Sequence, residues 1–329
     1  MDLNTAIEVV GVDWGTTHRR AYGLDKNGCC IAEHADSEGA LACKGRFAEA
    51  LQALLATLQA RPRMAILSGM VGSALGWQTV PYATAAVALD GLAAHLAAVP
   101  FGTAGDIPGA GAPRVCIVPG YCVRNAAGEP DVMRGEETQL LGAHCLGQGD
   151  GWYVLPGTHS KWVELEQGQV RQLRTYMTGE LFELLGRHGT LAAAAGSASE
   201  WSEEAFTQGV QAAAAGGALS HQLFGCRARV VAGDMAASSS RAFLSGLLIG
   251  TELHDVLRGH PRAQRASTAG TAAGGSTGFR LLGSSTLAAH YQAAAKRLGL
   301  QFAVLDARAA FIAATYHLYQ QQATQGATP

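Results

Sequence analysis

The sequence has no Cys-x-x-Cys pair, no stripe of basic residues interleaved with aromatics, and no apolar run near the roughly 18 residues a membrane span needs. Its seven cysteines, Cys29, Cys30, Cys43, Cys116, Cys122, Cys145 and Cys226, are odd in number. They give no support for a zinc site or a disulfide framework, and a reducing cytoplasm fits them best. The N-terminus lacks a basic stretch followed by an apolar core, so no signal peptide is expected. Charge is sparse: 15% of residues are charged and the net charge is −2. That excludes a nucleic-acid surface as the expected partner. Three nucleotide and metal signatures are also missing: G-x-x-x-x-G-K-[ST], G-x-G-x-x-G after a strand, and H-E-x-x-H. Gly274-Gly-Ser-Thr-Gly278 fits the hydrolase elbow, with Asp306 and His317 downstream. Small polar residues precede it where the elbow requires a strand, so a serine hydrolase is not expected.

What is present is a large apolar fraction, 48% of 329 residues, enough for two domains of ordinary size. Periodicity predicts strands over 7–13, 19–24 and 29–34, with a turn at Asp25-Lys-Asn-Gly28. A helix follows over 46–60, where Phe47, Leu51, Leu54, Leu55 and Leu58 make one stripe. Then come a strand at 63–67, a helix at 87–98, a strand at 114–118 and a helix at 136–146. Leu146-Gly-Gln-Gly-Asp-Gly151 reads as a linker, after which the pattern restarts. Strands are expected near 152–155, 161–166, 170–175, 228–232, 279–282 and 302–305. Helices are expected at 178–187, 203–223, 240–257, 284–298 and 307–322, and 260–278 reads as a flexible excursion. This is an α/β pattern with mixed sheets. The domains expected are 1–147, 148–305, and a C-terminal helix, 306–329, free to return to the N-terminal domain.

The restart is a repeat. Gly15-Thr16-Thr17 aligns with Gly157-Thr158-His159, 142 residues further on, and each copy has an apolar strand before it and a basic residue and hairpin after it. Gly lets a backbone approach a ligand closely, and successive turn N–H groups form an anion-binding concavity. Two such tips, one per domain, are expected to grip a polyphosphate from both sides. Two ordinary polar hairpins are the plain alternative, and the recurrence argues against it.

Asp13-Trp-Gly-Thr-Thr17 resembles the first phosphate loop of the actin/hexokinase/Hsp70 ATPase superfamily, in which an Asp-x-Gly-x-Thr turn holds Mg-ATP phosphates. Six blocks are similar to the 2-dehydro-3-deoxygalactonokinase family, in that family's order: SGMVGSALGWQTVPY (68–82), VMRGEETQLLGA (132–143), LPGTHSKWV (155–163), RTYMTGELFELL (174–185), FLSGLLIGTEL (243–253) and LLGSSTLAAHYQAA (281–294). The resemblance implies two duplicated actin-like (ribonuclease H-like) domains with mixed sheets flanking an ATP cleft. It implies a cytoplasmic kinase that uses ATP and Mg2+ to phosphorylate the 6-hydroxyl of 2-dehydro-3-deoxy-D-galactonate in galactose or galactonate catabolism. The alternatives it leaves are a phosphatase or polyphosphatase of the same superfamily and a kinase for the gluconate epimer. A small-molecule sugar acid is the expected partner, with no nucleic acid and no membrane. The second loop departs from the pattern, with Pro156 where distant members carry an acidic residue. The 260–278 stretch and the last helix match weakly.

Phosphoryl transfer is mostly positioning and electrostatics, which assigns the residues. Asp13 is the expected metal organiser, reached through water because Mg2+ keeps several waters. Gly15, Thr16, Thr17, Gly157, Thr158, His159, Ser160 and Lys161 are the expected phosphate-loop residues. Arg19 and Lys161 either add positive charge or are simple strand residues. Glu136 and Glu137 open a helix, where acidic residues usually serve the dipole. Glu136-Glu137 resembles the Gly-x-Glu-Glu segment of the exopolyphosphatase branch, in which a Glu acts on the nucleophile, and Glu136 is preferred over Glu137 as proton acceptor. The acid substrate is expected at Arg174, Thr178 and Glu180, because arginine suits a planar carboxylate and helix N-termini attract anions. Gly69, Met70, Gly72 and Ser73 are expected to give a second donor-rich loop, with Met70 and Trp77 open to a plain core role. Gly283, Ser284 and Ser285 are expected at the adenosine, with a simple serine cap as the alternative.

Overall fold

The computed structural model describes residues 6–102, 112–195, 201–259 and 279–325. The chain divides into two compact units. One gathers Met1–Asp150, Glu164–Leu173 and Asp306–Pro329, and the other Gly151–Val163 and Arg174–Leu305. The excursion at 260–278, including Gly274–Gly278, lies outside the described residues.

The first unit runs β1 (Val9–Trp14), β2 (Arg19–Leu24), β3 (Cys30–Asp36), α1 (Phe47–Thr57), β4 (Met64–Gly69), β5 (Ala83–Thr84), β6 (Ala97–Val99), β7 (Arg114–Ile117), β8 (Tyr121–Arg124), β9 (Pro130–Met133) and α2 (Glu136–Cys145). Its main sheet has the order β3-β2-β1-β4-β7-β6. β1, β2 and β3 pair antiparallel, and β1, β4 and β7 pair parallel. The β2–β3 turn forms because the Asp25 carboxylate accepts the N–H groups of Asn27 and Cys29, both at 2.8 Å. β4 is buried along its whole length, so its sequence, MAILSG, is nearly all apolar. Phe47, Leu51, Leu54 and Leu55 of α1 bury against this sheet, and Trp14 meets Phe47 edge-on at 5.5 Å. The C-terminal helix, Ala307–Gln325, packs on α2 and β1. A Cβ at Gly142 would overlap the Ala310 carbonyl, so the two helices meet backbone to backbone there.

The second unit is built from β10 (Gly151–Leu155), the first part of β11 (Ser160–Glu166), the end of β12 (Gln169–Tyr176), α3 (Thr178–Arg187), α4 (Gly189–Ala195), α5 (Glu203–Ala214), α6 (Leu219–Ala232), α7 (Ser240–Gly259), β13 (Phe279–Leu282), α8 (Ser285–Arg297) and β14 (Phe302–Leu305). Its sheet has the order β12-β11-β10-β13-β14, with β10, β13 and β14 parallel. Apart from the edge strand β6, this is the order of the first sheet. α7 lies in the core, burying Phe243, Leu247, Ile249, Leu253 and Val256.

Several expected elements differ. Residues 228–232 belong to helix α6 and not to a strand. Val231 is exposed, while Val230 packs on the core beside Leu223 and Cys226, so tertiary packing overrides the β-branched pair. The helix expected over 203–223 is two helices, separated at Gly216-Gly217, both with positive φ. The helix expected over 87–98 is a 3-10 helix, Leu89–His95, followed by β6. Its buried Leu89 and Leu92 sit three apart, the spacing a 3-10 turn superimposes. The small sheet β5-β8-β9 has no counterpart among the expected elements.

Candidate active site

At the carboxyl end of the first sheet, Asp13 pairs across β1–β4 with Ser68, and Trp14 pairs with Gly69. Gly69 has φ 93°, and a Cβ there would stand 2.8 Å from the Trp14 carbonyl. Gly135 has φ 111° and precedes α2; a Cβ on it would sit 3.2 Å from Gly69 Cα. Two glycines therefore let the Ser68–Gly72 loop and the start of α2 touch. Asp13, Gly69–Ser73, Glu136 and Glu137 come together this way, with Gly15, Thr16 and Thr17 continuing directly from β1. The Gly15 N–H donates to the His18 carbonyl at 2.9 Å, and the carbonyls of Gly15 and Thr16 accept from Ala40 and Leu41. Thr16 and Thr17 are exposed.

The two glutamates differ. Glu137 is fully buried and accepts from the Gly135 N–H at 2.7 Å, the Thr138 hydroxyl at 3.2 Å and the Ser68 hydroxyl at 3.4 Å. Burial, reinforced by the charge of Glu136, pushes its pKa up to about 8. Glu136 is partly exposed and accepts the Arg134 N–H at 3.0 Å. Asp13 has a carboxyl 26% exposed, with Arg20 Nη1 3.6 Å away. Burial raises its pKa and Arg20 partly offsets this. Arg19 turns inward: it is buried, and binds Asp36 at 2.6 Å and the Ala50 carbonyl at 3.0 Å. Its charge serves the β2–β3 pairing. Ser73 closes its own turn on the Met70 carbonyl at 2.8 Å, while Met70 and Trp77 pack on the core, Trp77 stacking on Phe47.

At the corresponding end of the second sheet, Thr158 and His159 are exposed, whereas Ser160 and Lys161 are buried. Lys161 Nζ donates to the Thr175 hydroxyl at 2.9 Å. Gly283 lies beside the loop, a Cβ there being 3.3 Å from Pro156, and Ser284 caps α8 by accepting from the Leu287 N–H at 3.4 Å, with Ser285 next and exposed. Thr178 and Glu180, expected at the acid substrate, belong to this second loop. The Glu180 N–H donates to the Thr158 carbonyl at 2.9 Å, Glu180 Oε2 meets His159 Nε2 at 2.5 Å, and a Cβ on Gly179 would overlap the Gly157 carbonyl. Arg174 pairs with a carboxylate of its own unit. It donates to Asp255 at 2.6 Å, beside Tyr176, whose hydroxyl reaches the same carboxylate at 2.7 Å.

One residue was not anticipated. Glu252 on α7 is buried, and its carboxylate accepts from Ser160 Oγ at 2.7 Å, Trp162 Nε1 at 2.6 Å, Thr178 Oγ1 at 2.5 Å and the Tyr291 hydroxyl at 2.8 Å. Burial raises its pKa, and the four donors counter that. Its only sequence signal is its place in the quoted block FLSGLLIGTEL.

Two sheets of one strand order, each with a Gly-Thr loop after its first strand, define a two-sheet α/β protein with mixed strand pairing. A family model described as 2-keto-3-deoxy-galactonokinase matches residues 13–318, and the chain belongs to that family. The curated protein "Probable 2-dehydro-3-deoxygalactonokinase DgoK1" of Rhizobium meliloti (strain 1021) is 36% identical over 311 residues, 93% of this chain and 94% of that protein. The "2-dehydro-3-deoxygalactonokinase" of Escherichia coli (strain K12) is 33% identical over 303 residues, 92% and 94% of the two chains. A crystal structure of a candidate 2-dehydro-3-deoxygalactonokinase from Sinorhizobium meliloti superposes with TM-score 0.79 at 33% identity, covering 95% of this chain and 96% of that one. No helix among the described residues is long and apolar enough to cross a membrane.

Proposed function

We propose that this chain is an ATP-dependent kinase that transfers the γ-phosphoryl group to the 6-hydroxyl of 2-dehydro-3-deoxy-D-galactonate. The observation that carries the reading is the convergence of Asp13, the Gly69–Ser73 loop and Glu136 at one end of the first sheet. Metal, substrate and base functions need to lie together, and this end of the sheet holds residues suited to all three. The names of the curated relatives support the same acceptor and favour neither the hydrolase nor the gluconate alternative.

The acceptor hydroxyl gives its proton to the Glu136 carboxylate as its oxygen forms the bond to the γ-phosphorus. The bond to the ADP oxygen breaks, and Glu136 then releases the proton to water. Glu136 suits this role because it is reachable, whereas Glu137 is sealed from solvent and holds its own proton below about pH 8. Glu137 instead accepts the Gly135 N–H at 2.7 Å and so fixes the start of α2. The exposed turn at Thr16–Thr17 offers backbone donors suited to a phosphate, and the exposed turn at Thr158–His159 does so within its own unit.

The residues present fit a divalent cation at Asp13. Its carboxyl is poorly hydrated, and Arg20, its ion-pair partner at 3.6 Å, is itself 59% exposed. Mg2+ there would neutralise phosphate charge, with Asp13 as the residue that holds it. Phosphorus NMR of the product tests the reading. A phosphate coupled to the C6 protons of the sugar acid is expected; a reaction that yields inorganic phosphate alone overturns it.

A further inference from the structure

Glu252 is a carboxylate surrounded by four donors from three elements: Ser160 and Trp162 on β11, Thr178 at the start of α3 and Tyr291 on α8. An ionised carboxylate offers about four lone-pair sites, so every one is used. Among the described residues no Lys, Arg or His donates to it, and through Thr178 it meets the N-terminus of α3, where the helix dipole is positive. Such a group is a costly way to fill a core, so what it holds in place matters.

Three of the four partners lead to the second phosphate loop or to the turn beside it. Ser160 directly follows Thr158 and His159. Thr178 begins the helix whose Glu180 N–H takes the Thr158 carbonyl at 2.9 Å. Tyr291 lies on the helix capped by Ser284, next to Gly283, which abuts Pro156. All of these residues lie in the second unit.

We infer that Glu252 is a positioning residue for nucleotide: it locks the 157–160 loop to the Gly283–Ser285 turn, so that nucleotide affinity depends on it and sugar-acid affinity does not. The inference rests on the kinase reading for the identity of the nucleotide. A residue that merely filled the core would change stability and leave the two KM values in proportion.

The test is KM for ATP and for the sugar acid, with ADP affinity by calorimetry, in Glu252→Ala, Glu252→Gln and Tyr291→Phe. The glutamine can accept from Ser160 and Trp162 and donate its amide to the Thr178 and Tyr291 hydroxyls, which can act as acceptors. Glu252→Ala is expected to raise the ATP KM and the ADP Kd on the order of tenfold. Tyr291→Phe is expected to raise both about threefold, and Glu252→Gln to recover most of the loss. The sugar-acid KM is expected to stay within about twofold in all three. If Glu252→Ala does not fold, Tyr291→Phe and Glu252→Gln decide. Unchanged ADP affinity, or equal rises in both KM values, overturns the inference. Absent acceptor-dependent turnover in the unsubstituted protein overturns the kinase reading, while ADP affinity still decides the role of Glu252.

Discussion

The two Gly-Thr loops follow equivalent strands, yet they use their residues in opposite ways. The first keeps a carboxylate in the strand end, Asp13, and leaves Thr16 and Thr17 exposed. The second has Leu155-Pro156 at the positions of Asp13-Trp14, turns Ser160 and Lys161 inward, and takes its carboxylate from another element, Glu252 on α7. The two sheets share a strand order, while the side chains at the two loops differ. In the first loop the carboxylate faces the site; in the second it lies beneath the loop and braces it.

The separation can be broken experimentally. The largest effect is expected from Asp13→Asn, which should cut kcat by about a hundredfold or more and shift the response to Mg2+ concentration; near-normal Mg2+ response would remove Asp13 from the metal role. Glu136→Gln is expected to lower turnover by roughly two orders of magnitude while nucleotide affinity, read by calorimetry, is nearly kept. Near-normal turnover there would move the base to another residue. In the second loop, Gly179→Ala places a methyl against the Gly157 carbonyl. It should raise the ATP KM about tenfold with a smaller change in the sugar-acid KM.

The last effect concerns stability and not rate. The Glu137 pKa stands at about 8 in the fold against 4.5 ordinarily. Between those values the unfolded chain gives up a proton that the folded chain keeps, so stability falls as pH rises from 4.5 towards 8 and levels off above. Glu137→Gln should flatten that part of the Tm–pH curve, and an unchanged slope would contradict the buried, protonated state.

Much of the scaffold was legible because its signals are local. β2, α3, β13 and β14 have the bounds expected from periodicity and turn chemistry. The Asp25–Gly28 turn forms through the Asp25 side chain, as its composition implies. The small β5-β8-β9 sheet escaped notice because β8 and β9 are four residues each and Pro130 opens the latter. Motifs marked Asp13, Gly157 and Glu136 as candidates, and in the structure Asp13 and the start of α2 lie at one end of the first sheet. What the motifs could not give was direction. Ser160 and Lys161 read as loop donors and are buried, and Arg174 reads as a carboxylate receptor but holds Asp255. Glu252 was illegible because three of its four partners lie 74 to 92 residues away along the chain. From its neighbours alone it reads as a polar residue on a helix.

The central claim is phosphoryl transfer to a sugar acid, and ADP release from Mg-ATP across a panel of 2-keto-3-deoxy sugar acids tests it most directly. The account predicts ADP formation that depends on the acid, is strongest with 2-dehydro-3-deoxy-D-galactonate, and is matched one for one by phosphorylated product. ADP release that no sugar acid stimulates, with inorganic phosphate as the other product, would contradict it.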